Sequence, residues 1–464
     1  MMLVKMGVYG LSEIWMIYME ESNMEELVRV GYGRMDITPE DSVPMGGYGN
    51  PSVRYNEVVR DPLYATCIAF TDSDDYTVLQ FTTDMTSISV ALTNKVRDVL
   101  CPEFGLKPEQ IMIAATHTHS APAVGEDVPA IDAFKEKYIA NMCEAARQAM
   151  ADRLPAMLYV SGVPTEQMNF IRHYKMADGT YAGSNFGKWD SGIVGHASNN
   201  DSWLQVIKID RIGGKSIVLM NYQAHPCFTG GIDKKVLSAD YIGDLRKFVE
   251  LKTGARFAFF QGAAGNHNGV SMKKSEMLYT ESDEYGQALG EYVLRALEAP
   301  VPVKGGKVRL VKRTLELELD HSDDHMVEKA KEIREEWRRT YDRRACNKRA
   351  QEELGLNSIY AVNAVIGRSE RGTSENLPIH AFCVGDLGFA CAPYEMFGAS
   401  GMYIKEYSPC AMTFVVSCCN GAYSYLASDL AFSHGCYEVD IRRYPRGTAE
   451  KMAENFVDML KEMQ

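Results

Sequence analysis

The 464 residues contain no run of 18 or more apolar residues, so the sequence offers no membrane-spanning helix. They contain no CxxC pair. The 11 cysteines are odd in number, and Cys67, Cys383, Cys391, Cys418 and Cys419 lie in apolar, strand-like runs. This argues against a disulfide scaffold and for reduced, buried thiols in a cytoplasmic protein. There is no GxSxG elbow, P-loop, GxGxxG or HExxH. Those absences remove the common serine-hydrolase, nucleotide-cradle and zinc-protease arrangements. No Pro/Ser-rich linker divides the chain, and no internal repeat is visible in the sequence. Basic charge is in short supply, with 49 Lys and Arg against 62 Asp and Glu and a net charge of −13. A field of that sign repels phosphate backbones, so nucleic acid is not an expected partner.

The N-terminus MMLVKMGVYGLSEIWMIYMEES carries one Lys, a Glu within its apolar part and no small-residue cleavage site. We expect residues 1–27 to be an extension from a start placed too far upstream, and 28–464 to be one domain. Turn chemistry dominates 31–62, which reads as a surface-wrapping stretch. Strands are expected at 66–70, 77–84, 111–119, 204–209, 216–222, 256–262, 379–385, 388–393 and 412–420. Helices are expected over 131–150, 239–252 and 281–298. A long one is expected over 322–354, capped by Ser322 and ended by Gly355, and a last one begins at a Thr448 cap. The run RRTYDRR (338–344) has acids interspersed around it and reads as a solvated helix face. Strands alternating with helices, with at least two hairpins, predict an α/β fold with a mixed sheet flanked by helices.

THTHS (116–120) ends an apolar strand. Residues i and i+2 of a strand share a face, so His117 and His119 should point the same way. Paired imidazoles suit a metal, since neutral imidazole is the commonest metal ligand. His225 closes a second apolar run, before Pro226. Zinc needs three or four N, O or S donors. Glu395 follows GFACAPY and is a candidate oxygen donor, although an ordinary loop Glu is the commoner fate of such a residue. Spacing alone does not single out Tyr425. Asp36, Asp84 and Asp240 suit partners for the histidines, or caps and turns.

In this order along the chain, GYGRMDITP, VPMGGYG, RDPLYAT, THTHSAP, MNFIR, NYQAHP, SADYIG, FFQGAAGN, APYE, NGAYSY and CYEVD resemble the neutral, non-lysosomal ceramidase family, specifically its catalytic domain. The resemblance covers nearly all the chain. It implies a single large α/β catalytic domain and a zinc ion held by His117, His225, Glu395 and Tyr425. His119 would sit beside the metal as proton acceptor and donor, Arg172 would orient the substrate, and the Tyr437 hydroxyl would meet the developing oxyanion. The implied activity is hydrolysis of an N-acyl amide linkage, ceramide-like or smaller and more polar, with an ester as a close variant.

Three departures accompany the resemblance. Asn268 stands near a position where the family has a Ser. Tyr394 replaces a small Gly before Glu395, which should narrow that side of the site. The chain ends after the catalytic domain, leaving no room for the family's further C-terminal β-domain. A non-catalytic relative that binds a small ligand is the alternative, and an amidohydrolase-type barrel, which also carries HxH, is a third. The expected partner is a small-molecule N-acyl substrate; the sequence does not set an oligomeric state.

Overall fold

Gly31 and Gly33 lie in a strand, not in a turn. In the computed structural model, which describes residues 27–48, 51–183, 192–231 and 234–464, β1 (Arg29–Asp36) runs through the middle of the larger sheet. Period-2 alternation puts Val30 and Tyr32 on one face and the two glycines on the other. A Cβ on Gly31 would meet the Ala149 carbonyl oxygen at 1.8 Å, and one on Gly33 the Ala145 oxygen at 2.0 Å. The glycines therefore let a helix lie directly on the strand. The expected extension over 1–27 lies, save for its last residue, outside the described residues.

The main chain follows one topological unit three times. In the first, β1, β2 (Tyr64–Thr71) and β3 (Thr77–Thr83) are antiparallel neighbours; α1 (Val90–Phe104) then crosses to β4 (Ile111–Ala115), parallel to β3, and α2 (Pro129–Ala151) follows. The second repeats this with β5 (Leu154–Pro164), β6 (Trp203–Arg211), β7 (Ile217–Tyr222), α3 (Tyr241–Thr253), β8 (Arg256–Gln261) and α4 (Ser282–Ala296). The third uses β9 (Val308–Glu318), three inserted helices, β10 (Ser374–Val384) and β11 (Leu387–Cys391), and ends with α8 (Gly398–Tyr407), β12 (Met412–Val416) and α9 (Thr448–Lys461). The repeat absent from the sequence is thus present in the strand pairing.

The first two units join edge to edge, in the order β8-β7-β6-β5-β1-β2-β3-β4, and the third forms a separate four-stranded sheet. The two sheets pack face to face. Tyr32, Ile68, Ile207 and Phe260 from one meet Phe382, Phe389 and Phe414 from the other. Helices cover both outer faces: α1 and α2 over the first unit, α3 and α4 over the second, α8 and α9 over the third. The architecture is the expected α/β class with mixed sheets flanked by helices, in four layers. No described helix is long and apolar enough to cross a membrane.

Local chemistry corrects three helix expectations. The stretch 322–354 is not continuous: α5 (Val327–Thr340) stops where Tyr341 turns left-handed, at φ 51°. Asp342 then caps α6 (Arg343–Leu354) by accepting from the Ala345 N–H, and Gly355 ends it as expected. Ser322 caps nothing; its hydroxyl donates to Asp320. Thr448 likewise is the first helical residue rather than the cap, with Gly447 before it at φ 86°. The third inserted helix, α7 (Ile359–Ser369), closes this satellite cluster.

A candidate metal centre at the strand ends

Ligands of open α/β sheets gather beyond the carboxyl ends of parallel strands. Here the ends of β4, β8 and β12 converge. Ala115 N–H donates to the Cys418 carbonyl at 3.0 Å, and Ser417 N–H to that of Gln261 at 2.9 Å. Asn420 clasps β4 by donating its N–H to Ile113 O at 2.7 Å and accepting from Ile113 N–H at 2.8 Å. Among the described residues, eight non-glycines have positive φ, and His117, Cys418, Asn420 and Ser424 make up half of them. Such backbone persists only where its surroundings fix it.

His117 and His119 do meet, but not as neighbours on a strand. β4 ends at Ala115, and His117 is left-handed at φ 69°. The turn leaves His119 Nε2 3.2 Å from His117 Nε2. His225 lies three residues past β7, and its Nε2 is 3.2 Å from that of His117. Glu395, four residues past β11, brings Oε2 to 3.1 Å from His117 Nε2 and 3.2 Å from His225 Nε2. Tyr425 is its direct partner in a two-residue parallel pairing, Glu395–Met396 with Tyr425–Leu426. The sequence elements 117, 119, 225, 395 and 425 are therefore brought together.

The second nitrogens of His117 and His225 are spoken for. His117 Nδ1 donates to the Thr86 carbonyl at 2.6 Å, and His225 Nδ1 to that of His267 at 3.0 Å. Backbone carbonyls thus do the orienting expected of carboxylates. Asp84 instead accepts two bonds from Arg246, each 2.8 Å; Asp240 caps α3 and holds Thr229; Asp36 accepts from Thr38 N–H in a turn. With Nδ1–H fixed, the Nε2 lone pairs of His117 and His225 face each other, His119 and Glu395 Oε2. That carboxylate oxygen is buried without a hydrogen bond. One proton satisfies one of these contacts, whereas a divalent cation satisfies them together. The donor set therefore fits a metal, and His117, His119 and His225 form a group able to hold one.

The electrostatics follow. Burial pulls His117 down, but the Glu395 carboxylate and Cys418 outweigh it and hold the imidazole well above its usual range. Glu395 is held well below the carboxylate range, because His117 and His225 overcome its burial. Burial and the Arg172 guanidinium push His225 down to about 4. Burial, His117 and His225 keep His119 well below its ordinary value, so its imidazole is neutral.

Arg172 follows a short strand, Phe170–Ile171, and its N–H donates to Asn266 O at 3.0 Å. Its side chain reaches the site: Nη1 lies 3.5 Å from His225 Nε2, and the guanidinium sits 5.4 Å above the Tyr425 ring. Tyr437 is half-buried with its ring 6.2 Å from that of Tyr425. Asn268 forms an isolated backbone bridge with His225. Tyr394 turns its ring into the apolar cluster beneath α8 and α9, with Leu426 and Tyr444.

Two supports escape sequence reading. Glu438 is 1 % exposed and accepts from Arg172 Nε at 2.6 Å and His173 Nε2 at 2.8 Å. Its only signal is its place beside Tyr437 in CYEVD. Arg54 is buried with no carboxylate partner among the described residues, and its guanidinium donates to the carbonyls of Gly46, His119 and Lys234 at 2.7, 2.9 and 3.0 Å.

No family model matches this chain, and no curated protein sequence does. Solved structures do. Neutral ceramidase from Pseudomonas aeruginosa superposes with a TM-score of 0.68 at 17 % identity, over 94 % of this chain and 75 % of that one. A ceramidase complexed with C2 gives a TM-score of 0.69 at 17 % identity, over 94 % and 76 %. The chain has a single-domain α/β fold of the ceramidase type, with a histidine-rich group able to hold a metal at its strand ends. Its fold is that of neutral ceramidase.

Proposed function

We propose that this protein is a zinc-dependent hydrolase of N-acyl amide linkages, ceramidase-like in its chemistry. The observation that supports it best is the convergence of three imidazoles and an unbonded Glu395 oxygen, two of the rings pinned at Nδ1 by carbonyls. His117, His225, Glu395 and Tyr425 would hold the ion. When bound, zinc supplies a Lewis acid for the acyl carbonyl and brings the pKa of water from 15.7 towards ~7.

The chain's own residues do the rest. His119, whose Nε2 lies 3.2 Å from that of His117, would accept the proton that water gives up and return it to the leaving amine. Burial and Glu438 raise the Tyr437 phenol, so at neutral pH it stays protonated and donates to the oxygen that gains charge. Arg172, fixed by Glu438, keeps its charge and orients the amide. His119, Glu395 and Tyr437 are the half-buried members of the set, and they mark the face the substrate enters.

The test is fatty-acid release from N-acyl amides of graded acyl length, with metal content measured on the same untagged protein. We expect about one zinc at this site and turnover that falls with its removal. Zinc bound with no turnover on amides or esters would leave a ligand-binding relative instead.

A further inference from the structure

Beyond the Arg172–Glu438 pair lies a second group of metal-capable side chains, sharing no ligand with the first. His173, His434 and Cys436 bring one donor atom each to within 4.8 Å of the others. His173 and Cys436 are 3 % and 4 % exposed, and His434 is half-buried. His434 Nε2 is buried and has no hydrogen-bond partner among the described residues. Two other features prepare the group. Glu438 Oε2 accepts from His173 Nε2–H at 2.8 Å, which leaves His173 Nδ1 as a basic lone pair. The Tyr181 ring stacks on His434 at 4.6 Å and 20°, which fixes that imidazole.

From this geometry we infer that His173, His434 and Cys436 form a second metal site, for a thiophilic ion of the Zn2+ class, with Glu438 as the carboxylate behind His173. A carboxylate on the far nitrogen of a ligating imidazole is the usual outer partner of such sites. Even at the outer limit of an equilateral 4.8 Å triangle, the centre lies about 2.8 Å from each donor, against ~2.0–2.3 Å for zinc bonds. Shifts of about 0.5–0.8 Å per donor close that gap. A thiolate with two imidazoles selects Zn2+ over Mg2+ or Ca2+, which take oxygen ligands. Without an ion, the buried His434 nitrogen remains unsatisfied.

The site has a structural consequence. His173 begins the strand His173–Met176, and Cys436 precedes the short helix Tyr437–Asp440 that carries Glu438. An ion shared by the two segments clamps Glu438, and through it Arg172, from behind. His173, His434 and Cys436 are positioning residues in this scheme, outside the reacting atoms.

The test is metal stoichiometry together with cobalt spectroscopy on the full chain. Untagged protein, stripped and reloaded, should hold about two zinc ions per chain, against about one in His434→Ala and in Cys436→Ser. His225→Ala should also drop to about one, but by losing the other ion. With cobalt, wild type and His225→Ala should show a thiolate-to-metal charge-transfer band, and His434→Ala and Cys436→Ser should not. The control is Cys418→Ser, which should keep the band, because Cys418 Sγ lies 3.7 Å from His117 Nδ1 in the first site. A single metal in wild type with no band, or a band lost in Cys418→Ser but kept in Cys436→Ser, overturns the second site. His434 is half-exposed, so its alanine variant keeps the test open should Cys436→Ser fold poorly. Neither result bears on turnover, so this inference and the hydrolase reading fail separately.

Discussion

Arg172 Nε donates to Glu438 Oε1 at 2.6 Å, and this buried pair joins segments 266 residues apart in sequence. Burial opposes the charge on Arg172, yet Glu438 outweighs it and keeps the guanidinium ionised; Arg172 and His173 in turn hold the Glu438 carboxyl far below its usual range. Removing one partner of a buried pair strands the other charge, at ~3–5 kcal/mol. Glu438→Gln should therefore lower the unfolding free energy read from urea melts by an amount in that range and also cut turnover. The double variant Arg172→Met/Glu438→Leu should regain most of the stability and none of the activity. A double variant as unstable as the single one would remove the pairing argument.

His119 and His225 should separate under mutation. His225 Nδ1 is pinned to a carbonyl, whereas His119 Nδ1 is buried with no hydrogen-bond partner and its ring stands T-shaped, 5.1 Å from Tyr48. His225→Ala should lose the ion of this site and the stability that binding adds, ~4 kcal/mol when free metal is 1,000 times Kd. His119→Ala should keep the metal and lose ~10²–10⁴ in kcat, the usual worth of a general acid–base. Mass spectrometry of bound metal beside steady-state kinetics reads both. A His119→Ala protein with near-normal turnover would end the proton-transfer role.

The α/β class and the gathering of the candidate ligands were both legible in the sequence. HxH, a strand-end His and a strand-end Glu are local patterns, and three of the candidate positions, His119, His225 and Glu395, stand within 3.2 Å of His117 Nε2. Even so, the same-face argument for His117 and His119 reached the right pairing through the wrong backbone, because nothing in THTHS signals a left-handed residue at 117. Glu438 has no pattern to find, since a buried carboxylate is defined by the Arg and His that fold against it. The threefold unit is invisible for a similar reason: hydrogen-bonded pairing repeats without repeating side chains. Asp84 and Asp240 took structural roles because the carbonyls of Thr86 and His267 had already filled the imidazole nitrogens.

Glycines on β1 and in α7 should respond in opposite directions to alanine. At Gly31 the new Cβ would lie 1.8 Å from a backbone oxygen of α2, which a rotamer change does not relieve. Gly31→Ala should cost about 3 kcal/mol, the upper end for overpacking. A Cβ on Gly367, inside α7, meets nothing within 4 Å. Gly367→Ala should add ~0.5–1 kcal/mol by helix propensity. Urea melts of both variants decide this, and a harmless Gly31→Ala would show that α2 is free to move off the strand.

Acid should weaken this fold through histidines that folding keeps neutral, and His380 is the clearest of them. It shares the β10 face of Phe382 and Val384, between the two sheets, well away from the candidate metal ligands in sequence. Burial first, then the charges of Arg97 and Lys312, push its pKa down to about 3. In the unfolded chain it returns to ~6.5. Above that pH both states are neutral and the group contributes nothing to the pH dependence. Between the two values only the unfolded chain binds the proton, so stability falls as pH falls, at ~1.4 kcal/mol per pH unit. Below about pH 3 the loss is complete. His267 and His434, also held below the ordinary imidazole value by burial, add slopes of the same sign, so the informative quantity is a difference. Unfolding free energies of wild type and His380→Leu, measured from about pH 6 down to about pH 4, should diverge by one proton's worth of slope, with the variant the flatter. Parallel lines would mean that His380 takes up its proton without unfolding the sandwich.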